Sequence, residues 1–174
     1  MKASQKIINK FLPKLIGFRL NSLFKINPDK AIVKAYKLFS SPRKGQVKPE
    51  QEQFLNAAKT TSIELNSKNI QIYHWKGGQK TVMLIHGWDS NTHRWKDLIK
   101  DLKKEDYNII AFDAPAHGFS EGKLLNVPLY SECLDRILTL YKPEFMIGHS
   151  IGGMTIVYNQ YLKKSKFLEK IVLL

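Results

Sequence analysis

Four short apolar runs restrict this chain to a narrow set of folds. They are Thr81-Val-Met-Leu-Ile85, Tyr107-Asn-Ile-Ile-Ala-Phe112, Phe145-Met-Ile147 and Ile171-Val-Leu-Leu174. A strand with one wet face alternates apolar and polar residues, whereas a strand covered on both faces does not. The runs therefore predict a mostly parallel sheet flanked by helices. Helix-period segments separate them. Trp95, Leu98, Ile99 and Leu102 share one face, Leu134, Ile137, Leu138 and Tyr141 share another, and Met154, Tyr158, Tyr161 and Leu162 follow. Strand and helix in alternation make an α/β fold with right-handed crossovers. Just before this region, Ser62–Leu65 and Ile70–Trp75 alternate across Asn66-Ser67-Lys68-Asn69, which reads as a hairpin.

In such folds ligands gather at the carboxyl ends of the strands, and three motifs lie at those ends. Gly148-His149-Ser150-Ile151-Gly152-Gly153 follows Phe145–Ile147 and opens a helical stretch, the setting that a G-x-S-x-G nucleophile elbow requires. A serine on so sharp a turn occupies a strained backbone conformation, and bulky neighbours at 148 and 152 would clash. The turn lifts the Ser150 hydroxyl above the sheet and leaves the Ile151 N–H at a helix N-terminus, where it can face an oxyanion. His86-Gly87-Trp88 ends the run Thr81–Ile85, and Asp113-Ala-Pro-Ala-His117-Gly118-Phe-Ser120 follows Phe112.

Together these motifs resemble the α/β-hydrolase family over residues 60–174. The resemblance implies Ser150 as nucleophile, with the Trp88 and Ile151 backbone N–H groups forming the oxyanion hole. His86 then fixes its loop rather than acting as base. Asp113 shapes a loop, since the family's triad acid comes later in the chain, and His117 stands where a glycine is common. The family's order is Ser, then Asp/Glu, then His. After Ser150 the chain offers one acid, Glu169, and no histidine. His149 adjoins the serine, but side chains diverge at an elbow, so it cannot serve. The expectation is therefore a domain truncated after about the sixth strand, about a hundred residues short at usual element lengths. Such a chain would be inactive and marginally stable by itself.

The implied activity of the full-length form is carboxylesterase- or lipase-like hydrolysis of a small-molecule acyl ester, without metal or organic cofactor. Thioester, lactone or amide cleavage, acyl transfer and perhydrolysis use the same fold. The alternative is a non-catalytic short form or pseudo-enzyme that binds through its pocket or its basic N-terminus. Oligomeric state is not legible.

Charge divides the chain in two. Residues 1–59 hold 13 Lys+Arg against 3 Asp+Glu, whereas residues 60–174 hold 15 against 12. The N-terminal segment repeats apolar pairs, Ile7-Ile8, Phe11-Leu12 and Leu15-Ile16, then Leu20 and Leu23-Phe24, between lysines and Arg19. This predicts an amphipathic helix, kinked or restarted at Pro13. A second helix should follow Asn27-Pro28-Asp29 with Ile32, Tyr36 and Phe39 on one face, and a third should open at Pro49. Residues 1–25 could lie on an anionic membrane surface, or pack their stripe on the rest of the chain, the commoner use of such a pattern.

Nucleic-acid binding lacks a recognition motif or a stacking pattern to support it. No run of about 18 apolar residues spans a membrane, and Lys2, Lys6, Lys10 and Lys14 interrupt what would be a signal peptide core. The lone Cys133 excludes an internal disulfide and thiolate zinc clusters, and its spacing reads as core. A cytoplasmic setting follows, membrane-peripheral if the basic helix docks.

Overall fold

The structure, a computed structural model, describes the backbone of residues 2–174 and side chains from Phe11 onward. The side chains of Lys2, Lys6, Ile7, Ile8 and Lys10 therefore lie outside the described residues. The chain divides into two units, Met1–Ser41 and Pro42–Leu174.

The first unit holds α1 (Lys2–Ile26) and α2 (Pro28–Ser40). Helix α1 runs through Pro13 instead of restarting there. A proline removes one backbone donor, and the neighbouring turns here carry the helix across the gap. The second helix begins where Asn27 predicts it. Its side-chain oxygen accepts the Lys30 N–H at 2.9 Å, and Pro28 fills the first turn.

The second unit opens with α3 (Pro49–Leu55), then the hairpin β1 (Lys59–Leu65) and β2 (Lys68–Trp75). The turn is tighter than expected. Only Asn66 and Ser67 lie outside the strands, with φ of 51° and 57°, the two left-handed residues of a type I′ connection. There follow β3 (Thr81–Ile85), a 3₁₀ turn (Thr92–Trp95), α4 (Lys96–Lys104) and β4 (Asn108–Phe112). Helix α5 (Val127–Tyr141), β5 (Phe145–Gly148), α6 (Ile151–Leu162) and β6 (Lys170–Leu173) complete it.

The strand order is β1-β2-β4-β3-β5-β6. The four apolar runs form the parallel part, β4-β3-β5-β6, and the hairpin adds antiparallel to β4. Strand β3 is buried at every position. Val82 and Leu84 enter one core with Trp75, Trp95, Ile99 and Ile109. Met83 and Ile85 enter the opposite core with Phe112, Leu134, Ile137 and Met146. Alternate side chains of one strand thus fill two cores, each buried aliphatic residue contributing about 2 kcal/mol of hydrophobic stabilisation. Cys133 lies in the second of these cores, as its spacing implies, and burial pushes its thiol up to about 12.

Helix α6 departs from the simplest sequence reading. Its buried face is Gly152, Gly153, Thr155, Ile156 and Asn159, whereas Met154, Val157, Tyr161 and Leu162 are exposed. The small residues face the sheet because the helix starts against the end of β3, where nothing larger fits. Among the described residues, no helix is long and apolar enough to cross a membrane.

Candidate active site

Strands β3, β4 and β5 deliver their three motifs to one end of the sheet. Parallel pairing aligns Ile85 with Phe112 on one side and with Gly148 on the other. The residues after each strand are therefore neighbours.

Ser150 sits at the start of α6 with φ 53° and ψ −121°, a backbone conformation that L-residues rarely adopt. Its side chain is exposed and caps no helix N–H. Hydrogen bonds on either side of the elbow hold the turn. His149 donates its N–H to the Ile85 carbonyl at 3.0 Å, and Ser150 donates to the Leu174 carbonyl at 2.8 Å. The glycines answer to steric demand. A Cβ on Gly148 would meet Ile156 Cδ1 at 2.6 Å and Gly153 Cα at 2.7 Å. One on Gly152 would run into the Ile85 carbonyl oxygen and lie 2.6 Å from that of His86. Both obstacles at Gly152 are backbone at the end of β3 and cannot swing away. Gly152→Ala is therefore expected to destabilise the protein by about 2–3 kcal/mol, read as a lower urea midpoint. An unchanged midpoint would mean that the start of α6 is free to move off β3.

The loop after β3 carries Gly87 and Trp88. A Cβ on Gly87 would meet His149 Nδ1 at 2.6 Å, so this loop and the elbow touch. Among the described residues, no acceptor takes the Trp88 or the Ile151 N–H. His149 Nδ1 is buried without a partner, and burial, reinforced by Arg94, holds its imidazole below the usual range.

Two other histidines brace the loops. His86 donates from Nδ1 to the Gly87 carbonyl at 2.8 Å and accepts the Ala114 N–H on Nε2 at 2.9 Å. His117 repeats the arrangement, donating from Nδ1 to the Pro115 carbonyl at 2.9 Å and accepting the Asp89 N–H at 3.1 Å. Accepting a backbone N–H requires a bare nitrogen, which fixes both rings as neutral Nδ1–H tautomers. Burial pushes His86 down to about 3, with the neighbouring His117, Arg94 and His149 in the same direction, and burial also lowers His117. With both nitrogens of each ring engaged, neither is free to act as a base.

Asp113 is fully buried and ties three segments together. Its carboxylate accepts the Tyr73 hydroxyl at 2.8 Å, the Thr92 N–H at 2.9 Å and the Phe119 N–H at 3.0 Å. Burial raises its pKa, and the hydrogen bonds oppose that shift. Gly118 has φ 54°, and a Cβ there would strike the Asp113 carboxylate.

Several contributors carry no local sequence signal. Tyr73 and the Thr92 amide reach Asp113 from 40 and 21 positions away. Asp89 accepts the Arg43 and Lys44 N–H groups at 2.9 and 3.0 Å, and Asn91 donates to the Gly45 and Gln46 carbonyls. Residues 42–59, grouped by charge with the N-terminal helices, thus belong by their contacts to the unit bearing the site. Beside Ser150 runs an apolar groove of about 730 Å³, lined by Val127, Pro128, Met154, Val157 and Leu173 among others. Its one sequence signal is the apolar outward face of α6. Among the described residues, no cluster of His, Cys, Asp and Glu is arranged to hold a metal ion.

The family model described as serine aminopeptidase, S33, matches residues 78–174. The uncharacterized hydrolase YugF of Bacillus subtilis strain 168 is 29% identical over 112 residues, 61% of this chain and 40% of that protein. The monoglyceride lipase of Rattus norvegicus is 32% identical over 92 residues, 46% of this chain and 30% of that protein. The chain thus spans less than half the length of these curated relatives. Among solved structures, a thioesterase domain from the curacin biosynthetic pathway superposes with a TM-score of 0.62 at 21% identity, over 68% of this chain and 46% of its own.

Proposed function

This chain belongs to the serine aminopeptidase S33 family of α/β-hydrolases, and from that premise we propose that its full-length form hydrolyses acyl esters with Ser150 as nucleophile. The observation that carries the reading is Ser150 itself, exposed on a left-handed turn between β5 and α6. Such strain persists only where the surrounding structure holds it, and it is concentrated at working sites.

In this mechanism the Ser150 oxygen bonds to the acyl carbonyl carbon while a base takes the hydroxyl proton. The Trp88 and Ile151 N–H groups receive the negative charge that develops on the carbonyl oxygen. The tetrahedral species collapses, and the alcohol leaves with the proton from the base. Water then cleaves the acyl-serine by the same steps in reverse order of partners, restoring the hydroxyl. The groove past Val127, Met154 and Val157 suits an apolar acyl or alcohol chain. His86 and His117 are occupied as loop braces and are not the base; the base and its orienting carboxylate are assigned to the His and Asp/Glu that follow the serine in the family's order. Asp113, His86 and His117 act as positioning residues. A small-molecule ester in a cytoplasmic setting is part of the same proposal.

The test is a fluorophosphonate probe, which phosphonylates an activated serine. The full-length protein should give one adduct, mapped by mass spectrometry to the peptide bearing Ser150. No adduct, or an adduct elsewhere, would overturn the assignment.

A further inference from the structure

Helix α1 has two differently used apolar faces. Ile16, Leu20 and Leu23 are half-buried on one. Phe11, Leu15, Phe18 and Ile26 recur at the i, i+4, i+7, i+15 spacing of the opposite face, and all four are exposed. Phe18 is 70% exposed and Ile26 83%. Lys14, Arg19 and Lys25 flank this stripe in sequence. Helix α2 repeats the arrangement with Ile32, Tyr36 and Phe39 exposed at i, i+4, i+7, and Lys30, Lys34 and Lys37 at the same spacing on another face. Residues 1–41 carry nine Lys+Arg against a single Asp, a net charge of +8.

From this arrangement we propose that α1 and α2 form a docking surface for an anionic phospholipid bilayer. The exposed rings and aliphatic side chains enter the boundary between headgroups and acyl chains, while the lysines and Arg19 meet the acidic headgroups. Charge selects this occupant. A second copy would set +8 against +8, and a nucleic acid would leave the phenylalanine stripe in water. Among the described residues no helix is long and apolar enough to cross a membrane, so the proposed contact lies on the surface rather than through it. The proposal does not depend on the chemistry of Ser150. If both hold, the hydrolase works at a lipid surface.

The experiment is co-sedimentation of the whole chain with phosphatidylcholine vesicles, with and without phosphatidylserine. Binding should favour the phosphatidylserine vesicles and fall as salt is added. Phe11→Ser with Phe18→Ser should weaken it by about tenfold or more, since two large apolar groups leave the bilayer. Lys14→Glu with Lys25→Glu keeps the apolar stripe, halves the net charge of residues 1–41 and should clearly weaken the preference for phosphatidylserine. Far-UV circular dichroism checks each variant's fold, and the charge variant decides alone if the phenylalanine variant misfolds. Three results would each overturn the proposal: no vesicle binding, equal binding to both vesicle types, or binding that neither variant alters. A vesicle-free dimer that the phenylalanine variant disperses would also overturn it, making the stripe a contact between copies.

Discussion

Ser150→Ala in the full-length protein is expected to lower kcat for ester hydrolysis about a millionfold, the loss that follows when a serine nucleophile is deleted from an intact triad. Fold and stability should survive, because the Ser150 side chain is exposed and makes no cap hydrogen bond. Ser150→Gly should abolish turnover equally but with a different signature. At φ 53° an L-residue is strained by about 1–3 kcal/mol, and glycine escapes that strain. Its freer unfolded chain returns about 1 kcal/mol of it. The glycine variant should therefore be about 1 kcal/mol more stable than the alanine variant, read as a higher urea midpoint at unchanged slope. Residual hydrolysis in Ser150→Ala above a few parts per thousand would remove Ser150 from the nucleophile's role. A glycine variant about 1 kcal/mol less stable than the alanine variant would show that the elbow stores no strain, because only the entropy of the freer unfolded chain would remain.

Acid should destabilise the fold well above the pH at which carboxylates protonate. His86 has a folded pKa of about 3 against 6.5 for the free side chain. Between those values the unfolded chain binds a proton and the folded chain does not. Stability is then fully present above about pH 6.5 and is lost as pH falls toward the folded value. At about 1.4 kcal/mol per pKa unit, the loss from His86 approaches 4–5 kcal/mol. The physical cause is definite. A proton on Nε2 ends its hydrogen bond from the Ala114 N–H and places a charge where water cannot reach. His117 is shifted in the same direction and adds to the loss. Asp113 works against both, since its raised pKa lets the folded state take up a proton more readily than the unfolded one as pH falls. Acid is expected to destabilise overall, with His86 outweighing Asp113, and the His86→Gln comparison isolates its share. Urea midpoints measured from pH 7.5 down to 4 should fall steadily, and His86→Gln should flatten the curve. A midpoint unchanged between pH 7 and 4.5 would contradict the buried neutral ring.

The sheet and its motifs were legible because their determinants are local. A continuous apolar run such as Thr81–Ile85 announces a strand covered on both faces, and Asn66-Ser67-Lys68-Asn69 announces a hairpin turn, though not that only two of its residues lie outside the strands. The turn at Ser150 was legible from its local pattern of glycines between a strand and a helix. Gly148 serves contacts within a few residues, whereas the demand on Gly152 comes from the distant end of β3. Other features depend on residues far apart in the chain. Nothing around Tyr73 signals that its hydroxyl ends on Asp113. Periodicity showed that α6 has an apolar face, but not that this face looks outward while the glycine face meets β3. Charge grouped residues 42–59 with the N-terminal helices, because a basic stretch looks alike whether it continues a helix pair or crosses a second unit. A kink or a restart was expected at Pro13, and the helix does not restart there, because one missing donor is too little to end a 25-residue helix.

That crossing segment has a practical corollary for trimming the protein. Arg43 and Lys44 lend their amides to Asp89, and Gly45 and Gln46 lend their carbonyls to Asn91. A cut at Ser41 removes both basic helices and spares this stitching. A cut at residue 59, where the charge changes, pulls out the thread that anchors the loop of Gly87 and Trp88. Two deletions that look almost interchangeable on a charge plot would thus yield different proteins, one relieved of its N-terminal helices and the other with the loop after β3 unmoored.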